Sequence, residues 1–203
     1  QPRLVESNLF LISSGGAADQ SFNEFNPIFN RDRIAMQASG LVSENETYAG
    51  EAVVSGIYKK ASFSAGYTHF ETDGWRDNAD QDDEIVNAFF QLELTYRTSI
   101  QAEYRYRDLE NGDLQLRFFQ DDFLSTLEED EETHTFRLGF RHSFTPNSTL
   151  IGNFQYQDAD EDQSVQPTPS FPVTFVDADT ELNSDAYDGE LSFLPRSNYV
   201  NLV

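Results

Sequence analysis

Between residues 99 and 107 every second side chain is apolar or aromatic (Ile100, Ala102, Tyr104, Tyr106). The residues between them are polar or charged (Gln101, Glu103, Arg105, Arg107). The same alternation recurs at 85–95, where Val86, Ala88, Phe90, Leu92 and Leu94 form one set. It recurs at 136–144, with Phe136, Leu138, Phe140 and Phe144, and at 149–157, with Leu150, Gly152, Phe154 and Tyr156. A period of two over nine to eleven residues is the mark of a β-strand and is incompatible with a helical stripe. Segments 34–43, 48–58 and 61–70, rich in Gly, Ala and Ser, read as further strands. So do 188–194, 199–203 and 4–12, and no segment carries a helical pattern. The expected fold class is all-β, antiparallel and up-and-down, with about eight to ten strands in residues 34–203 behind a leading strand-and-loop segment, 1–33.

The links between strands constrain the architecture further. Lys59 to Ala61, Thr95 to Thr98, Thr145 to Ser148 and Pro195 to Asn198 are short and carry turn chemistry. The links at 71–84, about 108–135 and about 158–187 are long. Short and long alternate. Compact water-soluble domains seldom need three long structureless loops, whereas a transmembrane barrel has short turns at one end and long loops at the other.

Composition removes several classes. With 36 acids against 13 bases the net charge is −23, which argues against a nucleic-acid partner. The absence of cysteine excludes disulfides, thiolate metal sites and a cysteine nucleophile. No apolar run is long enough for a spanning helix. Aromatic content of 14%, with 18 Phe and 9 Tyr, is high for so acidic a chain and argues against global disorder. The opening Gln1-Pro2-Arg3, without Met or a signal segment, suggests a processed chain or a fragment.

The polar strand faces carry Glu93, Glu103, Arg105, Arg107, Arg137 and Arg141. On neighbouring strands these would project into one lumen, where charged rings set ion preference or close the passage as an ion-pair network. Aromatic residues near strand ends (Tyr58, Tyr67, Phe70, Tyr96, Tyr106, Phe144, Tyr156) fit interfacial girdles. Acids cluster in the long links: Asp80, Asp82 and Asp83, the run 128–132, and Asp158, Asp160 and Asp162. Asp158-x-Asp160-x-Asp162 opens like a calcium loop, but Gln163 stands where glycine is required and Pro169 where glutamate is, so an EF-hand is excluded. Loose Ca²⁺ or Mg²⁺ binding by these loops, bridging to lipopolysaccharide, competes with the plainer reading of solvated loops.

Catalytic signals are weak. His69, His134 and His142 form no paired ligand motif. There is neither a nucleophile elbow nor a phosphate loop. Beside His142 on the strand, Ser143 falls on the opposite face, which breaks the geometry of a barrel lipid hydrolase. Paired acids for glycoside hydrolysis lie in loops rather than in a cleft. No enzyme is expected.

The stretches Asn23 to Arg33, Phe70 to Phe89 and Thr98 to Arg105 resemble Gram-negative outer-membrane β-barrels. They are similar to the porin-like barrels of proteins that carry tetratricopeptide repeats upstream, and the likeness covers most of 23–157. The resemblance implies a passive pore or surface anchor in the outer membrane, contacting lipid and lipopolysaccharide and other membrane or periplasmic subunits. No tetratricopeptide pattern occurs here. The chain ends Asn201-Leu202-Val203 instead of in the terminal aromatic of such barrels, so the expectation is one stretch of a larger barrel. The competing expectation is a secreted β-sandwich or adhesin-like module with cation-binding acidic loops.

Overall fold

The computed structural model describes residues 32–116, 123–165 and 178–195. They form eight strands: β1 (Arg33–Val42), β2 (Tyr48–Tyr58), β3 (Ala61–Thr72), β4 (Gln81–Thr95), β5 (Thr98–Asn111), β6 (Leu127–Thr145), β7 (Ser148–Val165) and β8 (Ala178–Pro195). Each pairs antiparallel with the next, giving one open sheet in the order β1 to β8. The alternation read from the sequence sets this meander, because pairing hairpin neighbours keeps every apolar set on one side. The segments 4–12 and 199–203 and the 195–198 link lie largely or wholly outside the described residues.

Three turns mark one end of the sheet. At the first, Lys59 adopts a left-handed backbone, φ 56°. The others are the links at 96–97 and 146–147, each next to a register irregularity (Glu93/Thr95 and Ser143/Thr145). The opposite, acidic end carries links 43–47, 73–80, 112–126 and 166–177. Its loops are shorter than the sequence suggests. The strands extend to Thr72, back to Gln81, out to Asn111, back to Leu127 and out to Val165. Runs such as 128–132 are polar on both faces, so they show no alternation, yet the ladder continues through them in register.

Burial is inverted relative to a water-soluble sheet. On β4 Asp83, Ile85, Asn87, Phe89 and Gln91 are buried while Val86, Ala88 and Phe90 alternate with them, exposed. Buried polar residues include Ser62, Ser64, Gln101, Glu103 and Thr135, and the buried apolar side chains among the described residues are only Val53, Ala79, Ile85, Phe89 and Leu127. Exposed instead are Phe90, Ile100, Tyr104, Phe136, Leu138, Phe140, Phe154, Leu191 and Phe193. Strand contacts run essentially between consecutive strands, so among the described residues no second layer covers either face. The polar side is therefore the more enclosed of the two.

Candidate functional site: the polar face and its acidic end

Register places Glu93, Glu103, Arg105, Arg107, Arg137 and Arg141 on the polar face. Glu103 lies opposite Phe89 and Arg137, Arg105 opposite Asn87 and Thr135, Arg107 opposite Ile85 and Thr133, and Ser99 separates Glu93 from Arg141. At its centre Asn87 Nδ2 donates to Glu103 Oε1 at 2.8 Å, and Arg137 Nη1 lies 3.6 Å from Glu103 Oε2. Glu103 is 2% exposed, so this partnership is what makes its burial tolerable. Nearer the acidic end Arg107 donates from Nε and Nη2 to both oxygens of Asp83, each at 3.0 Å. This fork is the geometry in which arginine binds carboxylate best. Toward the turns Ser62 Oγ donates to Gln91 at 3.2 Å, and Glu93 and Arg141 flank Ser99.

These pairs join adjacent strands. Asn87 Oδ1 and Ser64 Oγ are shielded and have no protein partner, which leaves them to water.

The apolar face is ordered in rows across the strands. Nearest the turns His142, Leu150 and Phe193 align. Next come Ala61, Leu92, Ile100, Phe140, Gly152 and Leu191, then Phe63, Phe90, Ala102, Leu138, Phe154 and Gly189. A tyrosine-rich row follows: Ala65, Ala88, Tyr104, Phe136, Tyr156 and Tyr187. The row beyond it, Tyr67, Val86, Tyr106, His134, Asp158 and Asp185, is where carboxylates begin. Past that level Glu84, Asp108, Glu132 and Asp160 align, and then Glu71, Asp82, Glu110, Asp130, Asp162 and Glu181. Desolvation raises the carboxyl pKa values of Glu110 and Asp130, and the facing carboxylates raise them further. Phe70 is the exception among the expected girdle residues, since it pairs with buried Asp83 and so lies on the polar face.

The acids singled out for cation binding do not form one site. Asp80 precedes β4, Asp82 and Asp83 point to opposite faces as neighbours on a strand must, and Asp83 is taken by Arg107. Asp158, Asp160 and Asp162 lie in steps of two along one face of β7, and no ligand atoms of theirs converge as a three-residue group among the described residues.

A contact invisible to periodicity ties the acidic end together. Arg76, in the 73–80 link, donates to the carbonyls of Asp113 and Gln115 at 2.6 and 2.9 Å, and its guanidinium lies over Trp75 and Phe123. The side chain of Asp113 is fully enclosed, 3.4 Å from Arg76, and accepts from the backbone of Gln115 and Leu124. Asn78 donates to the carbonyls of Leu124 and Leu127. At Gly74 φ is +76° and an added Cβ would strike Ala79, so only glycine fits the start of this link.

No protein family, curated protein or solved structure matches this chain.

Proposed function

We propose that the chain is part of an outer-membrane β-barrel of a Gram-negative bacterium, a passive polar pore or surface anchor that catalyses no reaction. The inverted burial carries the reading. A single-layer sheet that exposes Phe90, Leu138, Phe140 and Phe154 while shielding Asn87, Glu103 and Gln101 is matched to lipid outside and water inside. In water the same apolar face would need a cover. From the row of Leu150 to that of Asp158 is eight residues along β7, about 27 Å; tilted, this suits an apolar band roughly 25 Å tall. The tyrosine-rich row fits an interfacial girdle, and the carboxylates beyond it fit contact with lipopolysaccharide through bridging Mg²⁺ or Ca²⁺.

In this reading the polar face lines the lumen. Ion pairs that hug the wall keep Glu103, Arg107 and Arg137 in place without filling the passage, and hydrated amides lower the electrostatic barrier to polar solutes. Among the described residues β1, of 10 residues, and β8, of 18, pair on one side only, which suits a stretch of a wider barrel better than closure on themselves. The β-sandwich reading is disfavoured because the described residues supply one sheet, not two packed face to face.

The test is fractionation of the native source followed by gel electrophoresis in SDS with and without boiling. A protein kept in the detergent-extracted envelope, with mobility that changes on heating, supports the barrel, and planar-bilayer conductance then tests the pore. Recovery in the soluble fraction without a mobility change sinks it.

A further inference from the structure

Beyond the pore reading, and independent of it, we infer that His69, Glu71 and Asp82 form a binding site for one divalent transition-metal ion, with zinc the best match. The three come from paired strands. Register places Glu71 opposite Asp82 and His69 opposite Glu84, so all project from the same face at the acidic end. One ligand atom from each lies within 4.8 Å of the others. His69 Nδ1 is 3.4 Å from Asp82 Oδ1, and Nε2 is 3.5 Å from Glu71 Oε2. Those two contacts use opposite ring nitrogens; one ion takes a single nitrogen, and the carboxylates close on it from within 4.8 Å toward the roughly 3.3 Å that separates ligand atoms on a tetrahedral zinc.

Two further features favour an ion over an ordinary surface cluster. His69 Nδ1 is shielded from solvent yet makes no hydrogen bond, so its lone pair or proton is directed at the carboxylates without a satisfied partner. In addition, Glu71 and Asp82 line an open cavity of about 430 Å³ with Asp73 and Asp80, which provides access and room for the water molecules that complete a coordination sphere. Tyr48 donates its hydroxyl to Glu71 Oε2 and so orients that carboxylate as an outer-shell partner. The imidazole also sets the metal class: a mixed nitrogen and oxygen set suits zinc, whereas calcium and magnesium take oxygen ligands. His134 is the internal contrast. It reaches one carboxylate, Glu132 at 3.1 Å, and a tyrosine hydroxyl, and belongs to no three-ligand cluster among the described residues.

The experiment is isothermal titration of the full chain with Zn²⁺ and separately with Ca²⁺, folding being followed by far-ultraviolet circular dichroism, and imidazole nitrogen shifts by NMR. The expected result is one Zn²⁺ per chain with a shifted His69 nitrogen. Affinity should fall by at least about tenfold in H69Q and D82N, and by about tenfold in Y48F, which removes only the outer-shell donor. H134Q should bind as the parent does. Both substitutions of the cluster lie on partly exposed side chains, so a folded H69Q is expected; D82N gives the same reading if it is not. Zn²⁺ binding that survives H69Q undiminished, or Ca²⁺ binding as tight as Zn²⁺, overturns the site and leaves an ordinary surface cluster of one imidazole and two carboxylates.

Discussion

On β4 Val86, Ala88 and Phe90 sit one residue away from Asn87, Phe89 and Gln91, yet the first set is exposed and the second buried. The two faces share backbone, strand length and register, so the difference lies in their surroundings. The polar face satisfies itself: Asn87 with Glu103, Asp83 with Arg107, Ser62 with Gln91. The apolar face makes few such pairings until the tyrosine row, and among the described residues no layer covers it. Two faces of one sheet can therefore carry opposite solvent requirements, and the side chains report which is which more clearly than the fold does.

The sharpest way to break that comparison is to place a charge on the apolar face. In the proposed barrel, Leu138→Arg, in the middle row, should cost about 2–4 kcal/mol of folding stability in a bilayer, and Val86→Arg, beside the carboxylate level, about 0–1 kcal/mol. Urea titration in lipid vesicles checks both; equal costs would mean that the rows carry no depth.

The second test acts on the polar face. Glu103→Ala removes the acceptor of Asn87 and the partner of Arg137 and should cost about 1–3 kcal/mol, because buried groups lose their hydrogen bonds. Glu103→Gln keeps an acceptor for Asn87, should cost less, and in a bilayer should shift ion preference toward anions. An unchanged reversal potential for that variant would remove Glu103 from the conducting wall.

Most of this contrast is written in the sequence. Alternation at 85–95, 99–107 and 136–144 fixes strand identity and sorts the six charged residues to one face, because the parity of a strand admits two sides only. Four features escape it. The upper parts of β6 and β7 are acidic on both faces, so they have no period to read, and acids are poor strand formers besides. Phe70 shows how a single residue of parity transfers a ring from one face to the other. The tie between Arg76 and Asp113 links residues 37 apart through loop geometry. The pairing of Asp83 with Arg107 becomes visible only after the register of β4 on β5 is known.

A smaller effect is expected at Gly152, where an added Cβ would lie 2.2 Å from Cε1 of Phe140. Gly152→Ala should cost about 1 kcal/mol through crowding, and less if the half-exposed ring swings outward. Combining it with Phe140→Leu, which removes the crowding ring, should recover most of the loss in the same urea titration. A double variant no better than the single would place the strain elsewhere.

The smallest effect concerns protons at the acidic end. Folded Glu110 and Asp130 hold their protons to higher pH than the ordinary values of 4.5 and 3.8, first through desolvation and then through facing carboxylates. The folded state therefore binds more protons in the window above those values, and stability rises as the pH falls through it and declines as the pH rises. Amide protection factors in residues 127–132 and 158–165 should grow on mild acidification while those around Leu138 stay constant. A uniform change along β6 would show that the carboxylate rows are not its source.

The enclosure of Arg76 also decides how the described part of the acidic end meets proteases. Lys59, Lys60 and Arg97 stand at the turns, and Arg105, Arg107, Arg137 and Arg141 lie on the polar face, so Arg76 is the basic side chain that the described links at the other end contain. Its guanidinium is packed between Trp75 and Phe123 and anchored on Asp113. An enzyme that cleaves after lysine or arginine meets no accessible target among the described residues there, whereas one that cleaves beside acidic residues meets many.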